Sequence, residues 1–508
     1  MEQYDVVVIG GGLGSLTTAA YLSKRLRNVA VFEESKQRSL LKYTSRIKDN
    51  LNNKYEFKFF HHDLGGVNKG NLFYEYMKRC GLEAKFSYID NDYTMVIDQQ
   101  KRIIKRPNDF DSFRTYLVRR YPKQREAIHS LFGDIRRHYE DYRFQKLARL
   151  RNEEHTISSL LIEWGDLDLN AVLCKYFYKK EIINEFTLVY DAVGHKVEEI
   201  NAYNYFIKFF DTFIDGSHFI QTPYNNVVKV FSSEISKTRQ KIFTNRKVEK
   251  FVFIKNKISH IIDQDGNEVF AKHFVINMRI DEFIDEYAND FEEQKQEFKM
   301  LYKNAHNDTF VNQVYIGLDK PSETLGINEK QYIFSEFEDD TVRICSVVNY
   351  KAIDSTSCDD GKGALLVEFL DDRTPRKEKM TMVIDQLCTY FPGIIDHITA
   401  SKIGIKQPFF SGKAEKEYWD NKTVNDKFNI DDYSAMNPFI NAYFIGAWLR
   451  PEAGISGVIQ AGVEYGDIID DHIYKGDDEA YFITHDELMA IISNQFITGA
   501  LDKEDKNI

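Results

Sequence analysis

No run of about 18 apolar residues occurs in this chain of 508 residues, so no segment is patterned to cross a bilayer as a helix. Cysteine is sparse. Cys80, Cys174, Cys345, Cys358 and Cys388 are scattered, odd in number and never spaced Cys-x-x-Cys, which signals neither a disulfide framework nor a zinc site. No His, Asp and Glu set has metal-ligand spacing, so no metal is expected. Basic charge is also short: 67 Lys and Arg against 79 Asp and Glu leave a net charge of −12 and a pI near 5.7. With no basic stripe interleaved with aromatics, nucleic acid is not an expected partner. Glycine- or proline-rich linkers, repeats and low-complexity stretches are missing too. Since the length exceeds the ~250 to 300 residues at which single cores stop growing, two or more lobes are expected, interleaved rather than strung out. An acid stands second, and no basic region with an apolar stretch precedes the first strand, so a cytoplasmic location is expected.

What is present begins at Tyr4-Asp5-Val6-Val7-Val8-Ile9, a buried-strand pattern that breaks at Gly10-Gly11-Gly12-Leu13-Gly14-Ser15 and opens a helix through Leu16, Ala19, Ala20 and Leu22. Glycines let the backbone turn tightly and approach a pyrophosphate, and the helix N-terminus offers free N–H groups and a positive dipole end. A second strand, Asn28 to Phe32, ends on Glu33, at the distance downstream where a carboxylate accepts ribose hydroxyls. That acid favours an adenosine ribose without a 2′-phosphate. Gly10, Gly12, Leu13, Gly14, Ser15 and Glu33 are thus candidate cofactor contacts. The third glycine of the fingerprint is replaced by Ser15, which adds a small side chain where the helix should press on the strand.

Further along, Gly65 to Gly70 has phosphate-loop glycine spacing but is followed by Asn71 instead of Lys, so no nucleoside triphosphate site is expected there. Residues 108–150 have helical period, with Phe113, Leu117, Tyr121, Ile128, Leu131, Phe132 and Ile135 on the inner side, as cap helices would. Asn201 to Phe213 carries Tyr203, Phe206, Phe210 and Phe213 on one helical face, a stripe that reads as core ahead of a substrate tunnel. From residue 226 the α/β pattern returns: a helix through Val230, Phe231 and Ile235, then strands at 241–244, 248–253, 258–262 and 274–277 with a turn at Asp265-Gly266. The strand Ala442 to Ile445 closes at Gly446 and is followed by a helix beginning near Gly454-Ile455-Ser456-Gly457-Val458.

Taken in order, these blocks resemble the flavin-dependent amine oxidase and phytoene desaturase superfamily, in particular the branch of bacterial phytoene desaturases, carotenoid isomerases and retinol saturases. The resemblance rests on the glycine turn with Glu33, on His62-Asp63-Leu64-Gly65-Gly66, and on Phe444-Ile445-Gly446-Ala447 running through Pro451 to Gly454-Ile455-Ser456-Gly457-Val458. It implies an α/β fold in which a discontinuous, Rossmann-like FAD-binding lobe (1–60, 219–282 and 436–473) is interleaved with an α+β substrate or cap lobe (61–218 and 283–435). It also implies that Val248 reaches the adenine and that Gly446, Gly454, Ile455, Gly457 and Val458 lie against the flavin. Two departures stand out. Arg38-Ser39-Leu40-Leu41-Lys42 replaces the Gly-Gly-Arg usual after the acid, and Gln221-Thr222-Pro223 and Glu452 stand where relatives carry glycine.

The activity implied is FAD-dependent desaturation, saturation or isomerisation of a carbon–carbon bond in a hydrophobic, polyene or isoprenoid-like substrate. An amine or amino-acid oxidase is the alternative enzyme. Rab GDP-dissociation inhibitors keep this fold without flavin, so a non-catalytic protein that binds a prenyl or lipid group is the alternative from another class. His62 and Glu452 are candidate proton-handling groups beside the ring; a packed strand-end histidine and a solvated turn acid are the competing readings. Residues 474–508 read as a helical extension in which a Thr484-x-x-Glu487 capping box precedes Leu488, Ile491, Ile492, Gln495 and Phe496 at helical spacing. Such a face packs on the fold or makes peripheral contact with a membrane.

Overall fold

The computed structural model describes residues 2–34, 44–58, 63–83, 86, 88–97, 101–150, 163–165, 167–192, 197–220, 224–238, 240–278, 280–288, 310–328, 330–333, 343–371, 377–408, 437, 439–446 and 454–475. The fold is mixed α/β and is organised around two large sheets.

The first sheet grows outward from Glu2–Ile9. Val6, Val7 and Val8 are fully buried, as a strand covered on both faces requires. Val29–Glu33 lies parallel on one side and Glu268–Ile276 parallel on the other. Lys241–Thr244 extends the sheet beyond Val29–Glu33, and Ala442–Phe444 pairs parallel with the end of Glu268–Ile276. The start of that same strand pairs instead with the antiparallel hairpin Val248–Ile254 and Lys257–Asp263. Side chains alternate between faces with period two. Val6 and Val8 meet the first helix, Leu13–Lys24, and the closing helix, Gly454–Lys475, while Tyr4, Val7 and Ile9 meet the hairpin and the helix Ile280–Tyr287.

Those two helices press together through small residues. A Cβ on Gly462 would fall 2.6 Å from the Gly14 carbonyl and 2.7 Å from Thr17 Cβ, and one on Gly466 2.5 Å from the Tyr21 ring. Thr18 Oγ1 donates to the Gly462 carbonyl at 2.9 Å, and the Tyr21 hydroxyl donates to Asp467.

The second sheet runs in the order Ile398–Pro408, Phe310–Leu318, Gly363–Asp371, Arg343–Asn349, Lys330–Ile333, Tyr93–Ile97, Ile103–Pro107. Its neighbours are antiparallel except for Lys330–Ile333 beside Tyr93–Ile97. The helix Lys377–Tyr390 buries Val383 and Leu387 on one face. On the other face the hairpin Thr44–Lys48 and Lys54–Lys58 lays Tyr55 and Phe57 against Tyr315 and Tyr350. Gly317 makes that seat possible, since a Cβ there would lie 2.5 Å from the Tyr55 ring.

A helical cap holds a further cluster of aromatic residues. Phe113, Phe132, Phe186, Phe209 and Phe213 are buried together, with Phe209 and Phe213 stacked at 4.2 Å. The Asn201 to Phe213 stripe is therefore core, as its spacing predicts. It departs from a regular helix in one respect: Ala202–Phe209, capped by Asn201, passes into a π-turn at Phe210–Ile214, closed by Asp215 N–H donating to the Phe210 carbonyl at 3.0 Å. The added residue turns Phe210 as well as Phe209 into the core and brings the Asp211 carbonyl onto the strand Asp63–Gly65. A Cβ on Gly65 would meet that oxygen at 2.2 Å.

Candidate functional site

The carboxyl edge of the first sheet carries a glycine-rich turn. Gly10, at φ +90°, turns the chain out of the first strand, and its N–H donates to the Phe32 carbonyl at 2.8 Å. Only glycine takes that φ without strain. The Gly11 N–H donates to the Glu33 carboxylate. Gly12 has an ordinary φ of −66°, so space, not conformation, demands glycine there: a Cβ would stand 1.8 Å from the Asn277 side-chain amide. That amide is oriented with its oxygen accepting from Gly12 N–H at 3.0 Å and its nitrogen donating to the Ile445 carbonyl at 2.8 Å. The reverse orientation would set donor against donor and acceptor against acceptor.

Ser15 is fully buried, and its hydroxyl donates to the Gly10 carbonyl at 2.6 Å and the Gly12 carbonyl at 2.9 Å. The small side chain is accommodated, and its hydroxyl ties down the turn's own carbonyls. The closest packing falls one residue earlier, where a Cβ on Gly14 would lie 2.9 Å from Ile445 and 3.1 Å from Val458.

The first helical hydrogen bond runs from Leu16 N–H to the Gly12 carbonyl at 3.0 Å. The N–H groups of Leu13, Gly14 and Ser15 consequently have no acceptor among the described residues. Three unpartnered donors at the positive end of a 12-residue helix form a cradle for an anion. Glu33 stands beside it at the end of its strand.

The hairpin is joined to this edge through Arg246, whose N–H donates to the Glu33 carbonyl at 3.0 Å. Its guanidinium lies over Phe243 and Phe32 at 4.4 and 5.1 Å, and its Nε reaches Asp263 at 2.5 Å. Val248, two residues on, is buried, and its carbonyl accepts from the Tyr287 hydroxyl at 3.3 Å. Gly446 is buried directly after Ile445, whose N–H donates to the Ile276 carbonyl at 2.9 Å. Gly454, Ile455, Gly457 and Val458 form the first turn of the closing helix, where Val458 meets the first helix at Gly14.

Of the expected contacts, Gly10, Gly12, Leu13, Gly14, Ser15, Glu33 and Val458 are therefore brought to one place, and Val248 is tethered to it through Arg246. His62 and Glu452 lie outside the described residues, as do Arg38 to Lys42, Gln221 to Pro223 and the extension from Thr484 to Phe496.

Three further features escaped the sequence reading. Asn277 carries no motif; only its place directly after a Val-Ile strand could have drawn attention. In the cap, Asp211 lies within the π-turn and Asp215 caps its end. Deep burial, with the neighbouring Asp215 charge added, pushes Asp211 up to about 8. Burial raises Asp215 to about 6 against the hydrogen bond from the Tyr139 hydroxyl at 2.5 Å. On the closing helix, buried Glu464 meets buried Lys146 at 3.4 Å and accepts from Gln460 at 2.8 Å. Among the described residues no helix is long and apolar enough to cross a membrane and no metal-ligating cluster forms.

Residues 8–73 match the NAD(P)-binding Rossmann-like domain family, a span that contains the turn and Glu33. No curated protein sequence matches the chain. Among solved structures, an oxidoreductase from Methanosarcina mazei is similar over 91% of this chain and 99% of its own at a TM-score of 0.61 and 17% identity. Putrescine oxidase bound to putrescine is similar over 92% and 99%, TM-score 0.57, 13% identity. Cyclohexylamine oxidase from Brevibacterium oxydans is similar over 93% and 99%, TM-score 0.54, 12% identity. At such identities the likeness establishes the fold: a Rossmann-like dinucleotide domain within the overall architecture of these oxidases.

Proposed function

We propose that this chain is an FAD-dependent oxidoreductase. The observation that carries the proposal is the cradle: three unpartnered N–H groups at the head of the first helix, closed by glycines that leave no room for side chains, with a carboxylate one strand away. In this reading Leu13, Gly14 and Ser15 bind the diphosphate, Glu33 accepts the ribose hydroxyls, and Val248 borders the adenine. Gly446, Gly454, Ile455, Gly457 and Val458 border the flavin half. Bound FAD would supply the hydride-accepting centre, a redox capacity that none of the chain's own side chains has. The chain positions the reacting carbon, excludes water and handles protons, with His62 and Glu452 as the candidate groups.

For the substrate we keep the hydrophobic molecule with a carbon–carbon bond to be desaturated, saturated or isomerised, on the strength of the motif order in the sequence. Amine oxidation is the second reading, favoured by fold neighbours named putrescine oxidase and cyclohexylamine oxidase. In the carbon–carbon reading, the C-terminal extension would bring the protein to the membrane surface where an apolar substrate resides.

The test is the spectrum of purified protein reconstituted with FAD, followed by anaerobic mixing with polyenes and with primary amines. Blue absorbance that dithionite bleaches supports the flavin. Bleaching of the oxidised flavin by an amine marks amine oxidation and by a polyene marks desaturation; anaerobic reoxidation of dithionite-reduced flavin by a polyene marks saturation, and a rearranged polyene with the flavin unchanged marks isomerisation. A colourless protein that takes up no added FAD overturns the proposal.

A further inference from the structure

Asn277 is a partly exposed side chain at the mouth of the cradle, yet both ends of its amide are committed, one to each half of the site. Its oxygen holds the Gly12 N–H, which is therefore not available to a ligand, and its nitrogen holds the carbonyl of Ile445, the residue that leads from the closing strand into Gly446. Nothing else among the described residues joins these two segments by a side-chain hydrogen bond. Asn277 N–H also donates to the Ile9 carbonyl at 2.8 Å, so the backbone that carries the amide is fixed to the first strand just before the turn. The residue fills the space that glycine at position 12 leaves open, and a Cβ on Gly10 would touch it at 3.0 Å.

We propose that Asn277 is a positioning residue of the dinucleotide site: it restricts the diphosphate to the N–H groups of Leu13, Gly14 and Ser15 and fixes the distance between that subsite and the closing-strand segment. The inference rests on the FAD reading above and assigns within it a residue that no motif marks. Asparagine suits the task because it bridges a donor and an acceptor while remaining neutral beside a bound dianion. Aspartate has the same shape, but it would lose the bond to Ile445 and place a negative charge against the phosphates.

Binding of adenosine, ADP and FAD to ligand-free wild type, Asn277→Ala and Asn277→Asp separates the two parts of the role. Adenosine does not reach the diphosphate and should change by less than about twofold in either variant. Asn277→Asp should weaken ADP by at least ~30-fold, with the loss shrinking as salt is raised. Asn277→Ala should leave ADP within about threefold, because the three donors remain, but should weaken FAD about tenfold, because FAD spans both segments. A merely structural asparagine predicts the opposite order, with alanine at least as harmful to ADP as aspartate and adenosine falling in parallel. That pattern, or wild-type FAD affinity in Asn277→Ala, overturns the proposal. If Asn277→Ala does not fold, Asn277→Ser takes its place under the same criteria. Wild type that binds neither ADP nor FAD removes the FAD reading and this inference with it, whereas wild type that binds both, with variants that match it, removes this inference alone.

Discussion

The same substitution, glycine to alanine inside a helix, should have opposite signs at two positions. Gly133 sits exposed in the helix Arg125–Leu150, and a Cβ there meets nothing within 4 Å. Only intrinsic propensity operates, so Gly133→Ala should stabilise the protein by about 1 kcal/mol. Gly462 lies in the closing helix, where the new Cβ would fall 2.6 Å from the Gly14 carbonyl and 2.7 Å from Thr17 Cβ. Backbone cannot rotate away as a side-chain tip can, so the two helices must separate by several tenths of an ångström. Overpacking of this kind costs about 1–3 kcal/mol. Loss of the Thr18 hydroxyl bond to the Gly462 carbonyl adds about 1 kcal/mol. Set against the ~1 kcal/mol gained in propensity, the net is a destabilisation of about 1–3 kcal/mol. Read as thermal unfolding midpoints, Gly133→Ala should rise by about 2–4 °C and Gly462→Ala should fall by roughly 2–12 °C, on the scale of a cooperative unit of ~200 residues. ADP affinity should fall in Gly462→Ala alone, because Gly14 carries one of the three cradle donors. Shifts of equal sign, or an unchanged midpoint in Gly462→Ala, would refute the argument from helix contact.

Other consequences can be checked in the same preparations. Glu33→Gln should weaken ADP binding by a few kcal/mol at most, the scale of a charge-assisted hydrogen-bond pair, in an isothermal titration; unchanged affinity would separate Glu33 from the ribose. Asp211, raised to about 8, keeps a proton in the folded state that the unfolded state sheds near 3.8, so its contribution is present at low pH and is lost as pH rises toward 8. Asp215, raised to about 6, acts in the same direction, while burial lowers His138 to about 4 and His273 to about 3 and makes both oppose it below 6.5. The four roughly cancel between pH 4 and 6. Above 6.5 Asp211 alone of these remains, and stability should decline by up to about 1.4 kcal/mol per pH unit to pH 8, a slope that Asp211→Asn should flatten in midpoints measured against pH. Finally, Lys146→Met leaves Glu464 charged in the interior and should cost about 3–5 kcal/mol in urea unfolding. Lys146→Met combined with Glu464→Gln should recover most of that loss; no recovery would mean that the ion pair is not the cause.

The legible parts of the chain are those where one local rule acts without competition. Val6 to Ile9 can only be a strand buried on both faces, Gly10 needs a positive φ, and an acid at Glu33 follows from the strand that ends there; the parallel pairing of Glu2–Ile9 with Val29–Glu33 then follows from the helix between them. The aromatic period from Tyr203 to Phe213 likewise announces a buried helix. Ser15 was legible as a small residue and no further, since whether its hydroxyl obstructs the strand or bonds to the Gly10 and Gly12 carbonyls depends on its rotamer in the finished turn. The π-turn at Phe210–Ile214 left no trace in the residue order, because it answers to contact between the Asp211 carbonyl and Gly65, about 150 residues away in the chain.

Sequence alone therefore determined the glycine turn, its acid and the alternation of strands and helices, because each depends on residues within a few positions of one another. Tertiary structure decided which donors stay free. Gly11 and Gly12 lose theirs to Glu33 and Asn277, residues 22 and 265 positions downstream, and Leu13, Gly14 and Ser15 keep theirs because the helix begins there. It decided too that Gly14, Gly462 and Gly466 must lack side chains, a requirement set by two helices from opposite ends of the chain packed backbone against backbone, which no local pattern encodes.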